Sequence, residues 1–197
     1  MPSSITDIIK GVLLSPFFYS LLILSSLYLY WLGVDTPTFI VLGSYTVFAS
    51  LLIVSDMRTF IIPDVVIGLG LICGMLLIPH FTSASTLTMA AGALVGFLFF
   101  AGVRLLTTKL TGRESMGYGD VKLLAMLGAW VGSLHLAPLL LAASLLSLPF
   151  AVAMRFIRPH NPRIPFAPAL LIAGYLVLLF PLWFWQKLAH IRTFILS

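Results

Sequence analysis

Long apolar runs separated by short polar segments dominate the chain. Seven can be marked, at approximately Val12–Gly33, Thr38–Ser55, Ile62–Pro79, Thr86–Thr107, Gly119–Leu134, Leu136–Met154 and Ile164–Gln186. Most reach the ~17–25 residues with which a helix crosses the hydrocarbon core of a bilayer. The fifth and sixth are shorter and crowd each other. The pattern therefore predicts an all-helical membrane bundle of six or seven spans. No linker or low-complexity stretch divides it, so residues 1–197 are expected to form one membrane-embedded domain. Small residues recur four apart in Gly70/Gly74, Gly92/Gly96 and Gly128/Gly132. That spacing lines one face of a helix and predicts close helix–helix packing. Trp183 and Trp185, near the end of the last run, fit an interfacial aromatic belt.

Composition sharpens this picture. Of 197 residues, 60% are hydrophobic and 9% charged, where a soluble domain carries about 25% charged residues. So few charges could not cover a water-facing surface, and the bilayer is the expected solvent and partner. The net charge is +5, but the basic residues lie between apolar runs and form no basic–aromatic clusters of the kind that bind single strands. No nucleic-acid partner is expected. Lys10 is followed by a long apolar run without an A-x-A-like cleavage site, which predicts a retained first span instead of a signal peptide.

The basic residues also assign sides. Alternating spans place Lys10, Arg58, Arg104, Lys109, Arg113, Lys122, Arg155, Arg158 and Arg163 on one side, and Lys187 and Arg192 on the other. By the positive-inside rule the first side is the cytoplasm, with the N-terminus inside and, for seven spans, the C-terminus outside. Asp56 ends the second run as it arrives at the cytoplasmic side. Asp120 opens the fifth run as it leaves that side. The two acids are thus expected at one membrane depth.

Six acids occur: Asp7, Asp35, Asp56, Asp64, Glu114 and Asp120. Asp7 and Asp35 lie outside the runs and read as solvated. For Asp56 the structural alternative is a helix-end acid paired with Arg58. For Asp120 it is a first-turn acid favoured by the helix dipole. Ionisable residues at membrane depth are usually functional, and two on one side suggest a pair. Carboxyl groups that share a site do not both ionise easily, so one keeps its proton. Such a pair can polarise a water while donating to a carbonyl, which is the chemistry of aspartic peptide hydrolysis. Gly117 and Gly119, lacking side chains, would let backbone approach an extended substrate.

The strings Asp56-x7-Asp64 with Pro63, Gly117-Tyr118-Gly119-Asp120-Val121-Lys122-Leu123 and Gly128-Ala129-Trp130-Val131-Gly132 resemble the type IV prepilin peptidases, bacterial membrane aspartic proteases of the GxGD class. Ile164-Pro165-Phe166-Ala167-Pro168 is a weaker match to the family's Pro-Phe-Gly-Pro segment, with Ala167 in place of the usual Gly. The resemblance implies that Asp56 and Asp120 are the catalytic pair and that Asp64 has no direct catalytic role. Pro63, Asp64, Lys122, Pro165 and Pro168 are then structural motif positions. Asp64 follows Pro63 at a helix start, where the dipole favours an acid.

The implied substrates are prepilins or pseudopilins, cut at the cytoplasmic face of a bacterial inner membrane after a glycine that ends a short basic leader. Glu114 could meet that leader, although a solvated loop acid is its plainer reading. Bifunctional members carry paired Cys-x-x-Cys motifs in a zinc-binding loop associated with N-methylation. Cys73 is the one cysteine here and reads as packing. The four histidines, His80, His135, His160 and His190, form no HExxH. A peptidase without methyl transfer, metal or cofactor is expected. Two alternatives stand. One is a presenilin-like protease, recommended by Pro168-Ala169-Leu170 but lacking the Tyr-Asp motif. The other is a transporter or structural subunit with the two Asp residues as a proton or cation site. The sequence gives no oligomeric state.

Overall fold

The computed structural model describes residues 5–112, 116–157 and 166–180. Every regular element among them is helical. In chain order they are α1 (Ile5–Leu13), α2 (Pro16–Leu32), α3 (Thr36–Thr59), α4 (Asp64–Phe81), α5 (Thr86–Thr111), α6 (Tyr118–Val131), α7 (Leu136–Ile157) and α8 (Ala167–Phe180). α3, α4 and α5 are each long and apolar enough to cross a membrane. α6 and α7 meet at 117° across the short turn Ser133–His135 and supply a fourth span if taken together. α2 and α8 are shorter apolar helices. The protein is an all-helical membrane bundle, as the apolar runs predicted. Trp183 and Trp185 lie outside the described residues.

Two boundaries differ from the hydropathy pattern. The first run breaks at Leu14–Ser15, because Pro16 opens α2 at a position where the missing N–H is no loss. Val12 and Phe18, from either side of this corner, pack with Val54 of α3 in a small cluster of their own. The second run does not stop at its first charge. α3 continues through Asp56 and Arg58 to Thr59.

α6 lies at the centre of the bundle. From Val121 to Val131 every residue except Lys122 is buried. The glycine faces explain how its neighbours come so close. A methyl group on Gly92 of α5 would overlap the Gly128 carbonyl of α6, and one on Gly96 would meet the Leu124 carbonyl oxygen at 2.6 Å. On the other flank, Gly70 and Gly74 of α4 leave room for Met126 and Trp130. The buried Trp130 indole donates Nε1–H to the Gly70 carbonyl at 2.8 Å. Its ring meets Tyr45 of α3 edge-on, with centroids 5.2 Å apart. Tyr45 in turn donates its hydroxyl to the Leu171 carbonyl of α8 at 2.8 Å. α4 and α5 present Leu69, Ile72, Leu76, Leu94, Leu98 and Leu105 outward. This is a face suited to lipid.

Gly128→Val should lower the melting temperature of the detergent-solubilised protein sharply. Backbone lies where the side chain must go, and overpacking of this kind costs about 1–3 kcal/mol or more. Gly102→Ala, whose methyl would enter open space, should leave the melting temperature unchanged or raised. Equal effects of the two changes would refute the packing described for α5 and α6.

Candidate active site

The end of α3 is built to reverse the chain one turn beyond Asp56. Phe60 adopts a left-handed conformation (φ 54°) and its N–H donates to the Asp56 carbonyl at 3.0 Å. An aromatic residue there costs about 1–2 kcal/mol, and local hydrogen bonds hold it. Ser55 Oγ donates to the Ile61 carbonyl at 2.7 Å, Thr59 Oγ1 donates to the Ser55 carbonyl at 2.9 Å, and the Ile61 N–H donates to Thr59 Oγ1 at 3.3 Å. Buried Pro63 then starts α4, its carbonyl accepting from the Val66 and Ile67 N–H groups.

This turn meets the first turn of α6. A methyl group on Gly119 would stand 3.3 Å from Ile62 Cδ1, so the bare backbone of Gly119 is what lets α6 approach the α3–α4 loop. Gly117 is exposed. A methyl there would have Asp120 Oδ2 as its nearest neighbour, at 3.8 Å. Of the two glycines expected to receive a substrate backbone, one already serves the protein's own loop and the other is open.

Asp56 and Asp120 come together. Asp56 is 6% exposed, and its carboxyl group lies close enough to feel the charge of Asp120. The backbone N–H of Ala167, the first residue of α8, donates to the Asp56 carboxyl. Its Oδ2 is buried with no hydrogen-bond partner, an arrangement that native proteins seldom keep without a reason. Arg58 does not fill the role weighed for it in the sequence. It turns to the α1–α2 corner, donating from Nη1 to the Gly11 carbonyl at 2.8 Å and from Nη2 to the buried Ser15 Oγ at 3.0 Å.

The remaining motif residues that the structure describes lie at the starts of α4, α6 and α8. Lys122 Nζ lies 2.7 Å from Asp64 Oδ2, an ion pair between the starts of α6 and α4. Both side chains are partly exposed, so the pair contributes roughly 0–1 kcal/mol to stability. Lys122 Nζ and the Arg104 guanidinium also lie 5.1 and 5.4 Å from the centre of the Tyr118 ring. Arg104 Nε donates to the Met116 carbonyl at 3.2 Å. Pro168 is buried at the second position of α8. Glu114 and Pro165 lie outside the described residues.

Neither Ala167 nor Arg104 stood out in the sequence as a site residue, and nothing there paired Asp64 with Lys122. The Pro165–Pro168 similarity was the available signal for Ala167. A cavity of about 360 Å³ lies near the other end of α6, lined by Ile78, Thr82, Trp130 and His135 among others. It contains neither acid.

Residues 43–152, more than half of the chain, match the type IV leader peptidase family. The prepilin leader peptidase/N-methyltransferase of Aeromonas salmonicida is 44% identical over 90 residues, which cover 45% of this chain and 31% of the relative. That of Pseudomonas aeruginosa is 42% identical over 122 residues, covering 60% and 42%. That of Dichelobacter nodosus is 44% identical over 89 residues, covering 45% and 30%. The chain thus spans about a third to two-fifths of the length of these relatives. No solved structure matches significantly.

A buried acid with an unpaired oxygen beside a second acid is a poor stabiliser. Asp56→Asn should therefore leave the melting temperature of the purified protein unchanged or raise it by a few degrees, as removal of strained functional groups commonly does. A clear fall would mark Asp56 as a structural acid.

Proposed function

Because the chain belongs to the type IV leader peptidase family, we propose that it is an aspartic endopeptidase that removes the short basic leader of prepilins or pseudopilins at the cytoplasmic face of the bacterial inner membrane. The observation that carries this reading is the convergence of Asp56 and Asp120, from helices far apart in sequence, around a buried carboxyl oxygen with no partner.

The chemistry follows from the pair. One carboxyl group keeps a proton and the other is ionised. The ionised group takes a proton from a water molecule as that water attacks the scissile carbonyl carbon. The protonated group donates to the carbonyl oxygen, giving a tetrahedral diol. Collapse of the diol breaks the C–N bond, and a proton passes to the leaving amine. The Ala167 N–H fixes the orientation of the Asp56 carboxyl during these transfers.

Residues 1–197 act as one peptidase domain with a cytoplasmic N-terminus, which the distribution of basic residues supports. The leader lies in the cytoplasm, and the apolar helix of the substrate lies beside the bundle. Methyl transfer forms no part of this reading. The chain holds one cysteine, which cannot supply the paired motifs that the resemblance associates with that activity.

Asp56→Asn and Asp120→Asn should each abolish cleavage of a co-expressed prepilin, read from the N-terminal sequence of the product, without loss of membrane insertion. The double variant should be no worse, because the residues act as a unit. Near-wild-type cutting by either single variant would defeat the proposal in favour of a transport or structural role. Topology gives an independent check. Reporter fusions after Arg58 and after Arg113 should both report the cytoplasm, and opposite sides would separate the acids.

A further inference from the structure

α3 and α6 carry the two acids, yet their backbones scarcely approach each other. α4 packs against both. In the middle of the bundle, the Gly70 and Gly74 face of α4 sets this spacing against Met126 and Trp130. At the acid end the spacing depends on a different set of groups. Asp64, the first residue of α4, follows Asp56 by one loop. Lys122 follows Asp120 by two residues. Their ion pair, at 2.7 Å, therefore ties the start of α6, which carries Asp120, to the start of α4, which one short loop joins to the end of α3 and Asp56.

Lys122 is steadied in turn. Its ammonium and the Arg104 guanidinium both lie near the Tyr118 ring, and Arg104 ties back to the Met116 carbonyl just before the Gly117 turn. We infer that Asp64 and Lys122, steadied by Tyr118 and Arg104, form a latch that sets the separation of the Asp56 and Asp120 carboxyl groups. These are positioning residues, and the inference rests on the peptidase reading above.

A partly exposed ion pair is too weak to decide whether the bundle folds. Position is another matter. Misplacing a reacting group by about 1 Å can cost 10²-fold in rate, and a weak bond suffices to prevent a small displacement. The latch should therefore be visible in kcat and nearly invisible in thermal stability. A partly exposed pair is also screened by salt, so turnover should fall as ionic strength rises.

The test uses the full chain in detergent or liposomes with a prepilin substrate. Asp64→Asn and Lys122→Met should each lower kcat by about three- to tenfold, with KM and melting temperature unchanged. Lys122→Asp, which sets two acids face to face, should lower kcat further. Combining it with Asp64→Lys should recover most of that loss, because the exchanged charges attract again. The salt dependence of the wild-type kcat should be absent in Lys122→Met.

Wild-type kcat in both single variants would overturn the latch, as would an exchanged pair no better than Lys122→Asp alone. Asp56→Asn and Asp120→Asn run in the same assay separate the two failures. If they are dead while the latch variants are fully active, the latch alone is wrong. If they still cut, the peptidase reading fails and the latch falls with it.

Discussion

A helix of 14 residues is about 21 Å long, and the hydrocarbon core of a bilayer is about 30 Å thick. α6 therefore cannot face lipid from end to end without leaving polar backbone ends in hydrocarbon, where each unsatisfied group is costly. Its solution is to be surrounded by protein. α5 and α4 lie against its two flanks, Tyr45 of α3 meets Trp130, and Gly174 of α8 lies against Leu127. Between helices in lipid there is little hydrophobic driving force, so close packing must supply the attraction. That is why glycines sit where α5 and α6 touch and where α4 receives Met126 and Trp130.

Enclosure of α6 makes room for charge. Asp120 occupies its first turn, where the helix dipole favours an acid. Asp56 is less favourably placed on its own helix, near the C-terminal end of α3, where the dipole opposes a carboxylate. The first N–H of α8 compensates by donating to the same carboxyl group. Pro168 has no N–H, so Ala167 presents its donor at the very start of that helix. Two helix N-termini thus converge on two acids.

Much of this was legible in the sequence. The apolar runs gave the helices, and run length with charge bias placed Asp56 and Asp120 on one side. The glycine spacings marked real contact faces. What escaped was of two kinds. Hydropathy ends a run at its first charge, whereas a helix ends where its backbone turns, so α3 was cut at Ser55 although Phe60 is what stops it. Partner choice was the second kind. Arg58 stands two residues from Asp56 yet bonds Gly11 and Ser15. Asp64 was explained by a dipole and has Lys122 as its partner, 58 residues away. Such choices depend on which helix ends meet in space, and no periodicity records that.

The asymmetry of the acid site bears on how a substrate reaches it. Ile62 covers Gly119, so the α3–α4 loop closes that side. Asp56 is buried while Asp120 is half-buried. Exposed backbone remains at Gly117, where an added methyl group would lie 3.8 Å from Asp120 Oδ2. On the peptidase reading, an extended segment would therefore come in along Gly117 and reach Asp120 before Asp56. Its carbonyl would arrive beside the more accessible acid, with the deeper one behind it. A side chain at 119 would press on Ile62. At 117 the surrounding structure leaves room for a side chain.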